Sequence, residues 1–415
     1  MEGLEGAVSQ RTHCRSCGSS DLATVLDFGP TPLADRLVPS DALDVPDPVW
    51  PLTLVFCRAC ALVQVTFDVP GEAYGDDYPY YTSTNPGLVE HFAEGAREID
   101  QRRALSDGAL VVEIASNDGV QLAPLRELGA RVLGVDPASG PAGEANRKGL
   151  TTRCEFFTAE SAARIAEEMG QAEVLVGNNA LNLLPDLEDF RGAVRALLAP
   201  GGMLVLEVPS ILETLEQGAF DNVFHQNATY WSLLAMRAML APLGLEVFDL
   251  QRIPTFGGSL RLFCGAGRPV TSAVHEQAAA EERAGLGDEQ AYSAFGARAR
   301  EVRDRLRQQL LELRAAGRRC VAYGAAGGMA TTLLSFLDLP PGTLEYAVDL
   351  NPHKHGSWTP GHRLLIRPVE TLLEDRPDVA LLLAWNFADA ILEAQGQWRA
   401  AGGQFLIPIP EPRLV

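Results

Sequence analysis

The sequence predicts an α/β chain with a cysteine-bearing β domain, a central doubly wound unit, and a second, smaller doubly wound unit at the end. Three observations predict this. Between about Leu110 and Ser210 the apolar runs ALVVEIASNDG, RVLGVDP, AEVLVGNN and GGMLVLEVPS alternate with helix-like stretches, as expected of βα units whose parallel sheet is covered on both faces. The alternation restarts after Gly317 with RCVAYGAAGG, LEYAVDLNP, VALLLAWN and QFLIPIP. Before Pro70, the pairs CRSC and CRAC sit among the short β-like runs LATVLDFG and PLTLVFCRACALVQVTF.

A chain of 415 residues exceeds what one hydrophobic core usually organises, about 250 to 300 residues. The expected division is 1–75, 76–270, a helical linker over 271–317, and 318–415. The linker is charged and Ala-rich, and its helices meet near Gly285 to Gly287. An aromatic stretch, YGDDYPYYTSTNPG, reads as a loop before a helix that begins near Leu88.

With 47% hydrophobic and 21% charged residues the chain can bury ample cores and stay soluble. A net charge of −20 argues against nucleic acid as the main partner, though a local Lys/Arg cluster can still hold a small phosphorylated ligand. No apolar run approaches the roughly 20 residues of a membrane span, and the start is acidic without a signal-peptide core. A cytoplasmic, monomeric protein is expected, without nucleic-acid or membrane partners.

Four of the seven cysteines form two tight pairs, Cys14/Cys17 and Cys57/Cys60. In a reducing compartment such pairs are metal ligands rather than disulfides, and four thiolates suit tetrahedral Zn²⁺. With all four positions filled by protein, that zinc is structural.

The segment VVEIASNDG followed by VLGVDP points to a cofactor site. A buried strand ending in a small-residue turn brings backbone amides to a ligand, and an acid ending the next strand binds ribose hydroxyls. The residues are Glu113, Ala115, Asn117, Gly119 and Asp136, with Asn178 and Asn179 at the end of a neighbouring strand. S-adenosylmethionine or a dinucleotide would suit. The turn holds one glycine where a pyrophosphate fingerprint has three, which favours the former.

Together, the CxxC head, YPYYTST, VVEIASNDG, NNALNLLPD, FDNVFHQNATYWS, FGGSLR, YGAAGG and DLNPHKHGSWTPG resemble, in order and over nearly the whole chain, the deoxysugar C-methyltransferases. The resemblance implies an N-terminal zinc-binding domain, a central Rossmann-like S-adenosylmethionine domain and a C-terminal Rossmann-like domain that helps bind the substrate. The implied substrate is a TDP-4-keto-deoxysugar of antibiotic pathways, methylated at C3 through an enolate beside the C4 ketone.

The chain departs from the family where it matters for proton transfer. The family's Tyr-His-Glu-His is here Phe224, His225, Gln226 and Asn227, and its His-Gly-Gly-Ser is Phe256-Gly257-Gly258-Ser259. Leu183 and Gly328 stand where the family carries His and Lys. An amide such as Asn227 can orient a carbonyl or stabilise an enolate, but it is no base near neutral pH. His225 is then one candidate base. The tyrosines Tyr78, Tyr80 and Tyr81 are candidate acids, Tyr80 foremost and Tyr78 next.

An acidic tyrosine also admits a second activity, reduction of the C4 ketone with NAD(P)H, alone or beside methylation. A third reading is a non-catalytic nucleotide-sugar binder. On the sugar side, Phe224, Gln226, Ser259 and Arg261 are expected to meet the substrate. Asn351, His353, Lys354 and His355 form a local cationic cluster in which Lys354 faces the diphosphate.

Overall fold

The structure, a computed structural model, describes residues 10–69, 80–105 and 108–415. Its strands run β1 (Leu22–Pro32), β2 (Val49–Cys57), β3 (Val63–Val65), β4 (Leu110–Ile114), β5 (Arg131–Val135), β6 (Thr152–Arg153), β7 (Ala172–Asn178), β8 (Leu198–Pro209) and β9 (Thr229–Tyr230). They continue with β10 (Glu246–Ile253), β11 (Ser259–Gly265), β12 (Cys320–Tyr323), β13 (Ala347–Asp349), β14 (Ile366–Pro368), β15 (Val379–Leu382), β16 (Gln404–Ile407) and β17 (Arg413–Leu414).

The central sheet has the order β10-β11-β8-β7-β4-β5-β6, with β11 antiparallel to both β8 and β10 and the other strands parallel. All five residues of β4 are buried. A continuous apolar run is what a central parallel strand requires, because helices cover both of its faces. On one face lies the helix Pro86–Arg102, capped by Asn85, whose side chain accepts the amides of Gly87 and Leu88. Its Ala96 and Ile99 pack with Val111, Val174, Val176, Val205 and Phe263. The last sheet has the order β14-β13-β12-β15-β16-β17, parallel except for β17.

The first sheet, β1-β2-β3-β9, is antiparallel and borrows β9 from the middle of the chain, pairing Val63 with Tyr230. A boundary near residue 75 therefore does not separate two independent cores. Likewise, the stretch 271–317 is packed along its length rather than a free connection. Glu281, on the helix Ser272–Arg283, accepts the amides of Leu233 at 2.7 Å and Leu234 at 3.1 Å. The helix Glu289–Ala315 sinks Tyr292, Phe295, Val302 and Leu306 into a core that also holds Leu26 of β1 and Leu381 of β15. Its Gly296 lies against β1, where a Cβ would come within 2.1 Å of the Val25 carbonyl oxygen. Among the described residues no helix is long and apolar enough to cross a membrane.

Candidate active site

The turn after β4 is shaped by residues in the left-handed region: Ala115 at φ 55°, Asn117 at φ 48° and Gly119 at φ 80°. At Gly119 a side chain is disfavoured twice, by the strain of φ 80° and because a Cβ would crowd Leu150 Cδ1 at 2.6 Å and Ala145 Cβ at 3.3 Å. Asp136, at the end of β5, accepts the Asn117 amide at Oδ2 and the Ala138 amide at Oδ1, each at 2.8 Å. The acid and the turn are thereby locked together. Burial raises the Asp136 pKa, and the two amides work against that rise.

On the face of the sheet covered by the helix Pro86–Arg102, the register sets Asn178 across from Glu207 and Glu207 across from Arg261, with Glu113 on the same face opposite Val176, two residues before Asn178. Burial pushes the Glu113 carboxyl well above its ordinary range, and its Oε2 is buried without a hydrogen-bond donor. The Oδ1 of Asn178 is another acceptor without a donor, while its Nδ2 donates to Gln121. Unpaired buried acceptors at the end of a parallel sheet fit a ligand bearing an ammonium group, which S-adenosylmethionine carries. Asn179, at φ 51°, turns the chain out of β7 as its amide donates to the Glu207 carbonyl at 2.7 Å.

Tyr80 lies beside this edge: its carbonyl accepts Asn117 Nδ2 at 3.0 Å, and its side chain is 42% exposed. Burial of the ring's surroundings raises its pKa, so the phenol stays protonated near neutrality. Tyr78 falls outside the described residues. Tyr81 approaches Gly140 so closely that a Cβ there would meet the Tyr81 hydroxyl at 2.6 Å.

The stretch Phe224–Asn227 touches all three domains. Asn227 accepts Asn182 Nδ2 at Oδ1 at 2.5 Å, close to the end of β7. Gln226 Nε2 donates to the Ala34 carbonyl of the first domain at 3.1 Å. Phe224 lies against Gly328 of the last domain, where a Cβ would be 2.6 Å from the ring. A side chain at 328 would need that space, so glycine there and phenylalanine at 224 fit as a pair.

His225 is placed differently from the expected base. Its ring is buried, its Nε2 lies 3.3 Å from the Pro51 carbonyl, and it meets Phe67 edge-on at 5.0 Å. Burial lowers its pKa to about 4. It packs the first domain onto the second and is a weak proton acceptor there.

The four paired cysteines converge, with all ligand atoms within 4.8 Å of one another. Sγ of Cys14 lies 3.5 Å from that of Cys60, and Cys17 3.6 Å from Cys57. A zinc tetrahedron with Zn–S of about 2.3 Å has edges of about 3.8 Å, so the thiols fit the ion. Knuckle backbone supports the site: the Ser16 amide points at Cys14 Sγ at 3.4 Å.

This architecture agrees with what known proteins share with the chain. The "C-methyltransferase C-terminal domain" family matches residues 254–410, a zinc binding domain family matches 14–74 and a methyltransferase domain family matches 90–250. The C-methyltransferase NovU of Streptomyces niveus is 34% identical over 415 residues, covering 99% of both chains. The chain belongs to the C-methyltransferase family. Trans-aconitate 2-methyltransferase of Paracidovorax citrulli is 29% identical over 131 residues, 30% of this C-methyltransferase and 50% of its own length. Among solved structures, magnesium protoporphyrin IX methyltransferase from Synechocystis PCC 6803 is 17% identical with a TM-score of 0.34, covering 47% of this chain and 88% of its own.

Four residues expected on the sugar side of the C-methyltransferase are engaged elsewhere. Arg261 is 2% exposed; Nη2 donates to Glu207 Oε2 at 3.1 Å and approaches His91 Nε2 at 3.0 Å, while Nη1 lies 3.6 Å from Glu98. A guanidinium so held has no free fork for a diphosphate. Ser259 is fully buried, its hydroxyl donating to the Thr255 carbonyl. Lys354 Nζ donates to the Ala325 carbonyl at 2.9 Å and to Asp349 Oδ2 at 3.3 Å, so the expected cationic cluster is neutralised locally. Asn351 caps its own turn by accepting the His353 amide.

Sequence reasoning missed Asp349 and His91. Asp349 ends β13 and accepts the Ala325 amide at 3.0 Å, repeating the device by which Asp136 holds Asn117. The strand-end acid of a second βα unit was a usable signal. His91 had none, because only folding brings it to Glu207, 116 residues away.

Proposed function

We propose that the protein transfers a methyl group from S-adenosylmethionine to C3 of a TDP-4-keto-deoxysugar. Ala115, Asn117, Gly119, Asp136, Asn178 and Asn179 hold the cofactor in this reading, with Asp136 toward the ribose and Glu113 toward the amino-acid end. When bound, the cofactor supplies an electrophilic methyl group on a sulfonium.

The observation that carries the proposal is the position of Phe224–Asn227, a continuous strip from the cofactor edge to the last domain. A nucleotide sugar laid along it has its keto ring near Asn227 and Tyr80 and its nucleotide toward the last domain. With Asn182 Nδ2 on its Oδ1 and the Tyr230 hydroxyl beside its Nδ2, Asn227 has one remaining side-chain N–H to offer an oxyanion at C4. The Tyr80 hydroxyl can return a proton to that oxygen. Lowering the charge on the enolate oxygen acidifies the C3–H enough for a solvent water to take that proton, and the proton lent by Tyr80 goes back to it as C3 takes the methyl and the C4 carbonyl re-forms.

The test is incubation with a TDP-4-keto-deoxysugar and, separately, S-adenosylmethionine, NADH or NADPH, followed by mass and carbon NMR of the product. Gain of one methylene, with the new carbon on C3, is expected with S-adenosylmethionine. Gain of two hydrogens with a nicotinamide would assign the chain to ketoreduction instead.

A further inference from the structure

We propose that Asp35 is a specificity-determining residue of the substrate cleft, its carboxylate accepting a hydroxyl or ammonium donor of the bound nucleotide sugar. The inference rests on the reading above that a nucleotide sugar lies along Phe224–Asn227.

After β1 the chain buries Leu33 and Ala34 and then turns at Asp35, which has φ 61°. A non-glycine residue in this region costs free energy and persists only where its surroundings hold it. The hold here comes from two other domains. The Asp35 amide donates to the carbonyl of Ala326, itself at φ 64°, at 2.7 Å, and the preceding carbonyl, that of Ala34, accepts Gln226 Nε2. The turn thus projects an acid from the first domain to the place where the central strip meets the Gly-rich turn of the last domain.

Among the described residues the Asp35 carboxylate has no hydrogen bond or ion pair. The residue is solvent-accessible, yet the protein mass around its carboxyl raises its pKa, with Lys354 of the last domain opposing the rise and Asp349 adding to it, so it lies at the junction of the first and last domains. Lys354 is already held by Ala325 and Asp349. Two further acceptors along the strip, Gln226 Oε1 and the Oδ1 of the buried Asn182, are also without donors. A row of acceptors is satisfied by a ligand rich in O–H or N–H groups and opposes a phosphate. This corner therefore suits a sugar ring rather than the diphosphate.

Asp35→Asn keeps the left-handed turn, since asparagine adopts it readily, and replaces an anionic acceptor by an amide. Asp35→Gly suits the same backbone and removes the group. The measurements are KM and kcat for the nucleotide sugar, and calorimetric affinities for TDP and S-adenosylhomocysteine. KM is expected to rise about tenfold or more in both variants with S-adenosylhomocysteine affinity and melting temperature unchanged. The increase should fall below about twofold for one analogue in a series that each lack a single ring hydroxyl or amine. Unchanged TDP affinity puts the donor on the hexose, and an equal loss for TDP puts it on the pentose. An unchanged KM, or an increase that no analogue relieves, overturns the assignment of Asp35. If wild type binds no nucleotide sugar at all, the underlying reading fails and takes this one with it.

Discussion

The indole N–H of Trp385 donates to Asp221 Oδ2 at 2.7 Å, tying the loop after β15 to the 3-10 turn that leads into Phe224. The other oxygen of Asp221 is buried without a donor, and burial raises the carboxyl pKa to about 7. An acid whose folded pKa exceeds its unfolded value binds more protons when folded. Its effect on stability is most favourable below about pH 4 and is lost as pH rises toward 7. Melting curves of wild type and Asp221→Asn at pH 5 and pH 8 should show the variant gaining at the higher pH relative to wild type. The same pH response in both proteins would reject this.

His225 acts in the opposite sense. Its pKa of about 4 lies below the ordinary value near 6.5, so the unfolded chain takes up the proton first as pH falls. That loss of stability begins below about pH 6.5 and is complete below about pH 4, on the order of 3 kcal/mol. Urea unfolding of His225→Phe across this range should show a shallower acid decline than wild type, since phenylalanine can fill the site beside Phe67 without titrating.

The turn after β4 predicts selective damage. Gly119→Ala should weaken S-adenosylhomocysteine binding by at least about tenfold and destabilise the fold by about 1–3 kcal/mol, because the new methyl crowds Leu150 and Ala145 and strains the left-handed backbone. Asp136→Ala should weaken the same ligand but leave TDP affinity intact. Calorimetry with both ligands reads each effect.

For the thiol cluster, metal analysis of the purified protein should give one zinc per chain. Removing it with a chelator, or replacing Cys57 with Ser, should lower the melting temperature, since the metal couples the loop bearing Cys14 to the β2–β3 connection. Thermal unfolding with and without added zinc checks this, and equal curves would count against a structural ion.

Glu281→Ala should destabilise the protein by about 1–3 kcal/mol by leaving the amides of Leu233 and Leu234 without their acceptor. Glu281→Gln retains an oxygen to accept them and should lose less. Equilibrium denaturation of the two variants compares them directly.

What was legible in the residues was local. Strand-length apolar runs announced two parallel sheets, since burial on both faces leaves no room for polar alternation. CRSC and CRAC announced four thiols at metal spacing, and a strand, a small-residue turn and an acid announced the cofactor edge from Glu113 to Asp136. Each of these is a short-range pattern that one segment carries by itself.

Partnership between segments was decided only by folding. The chain's composition could not say that β9 would complete the first sheet or that one face of the stretch 271–317 would join a core shared with β1 and β15. Nor could it say that Arg261 would be held by Glu207 and His91, that His225 would be enclosed beside Phe67, or that Asp35 would emerge opposite Ala326 with no ion pair among the described residues. The physical reason is that a side chain's charge state and availability depend on what is packed around it. Those neighbours come from residues tens to hundreds of positions away.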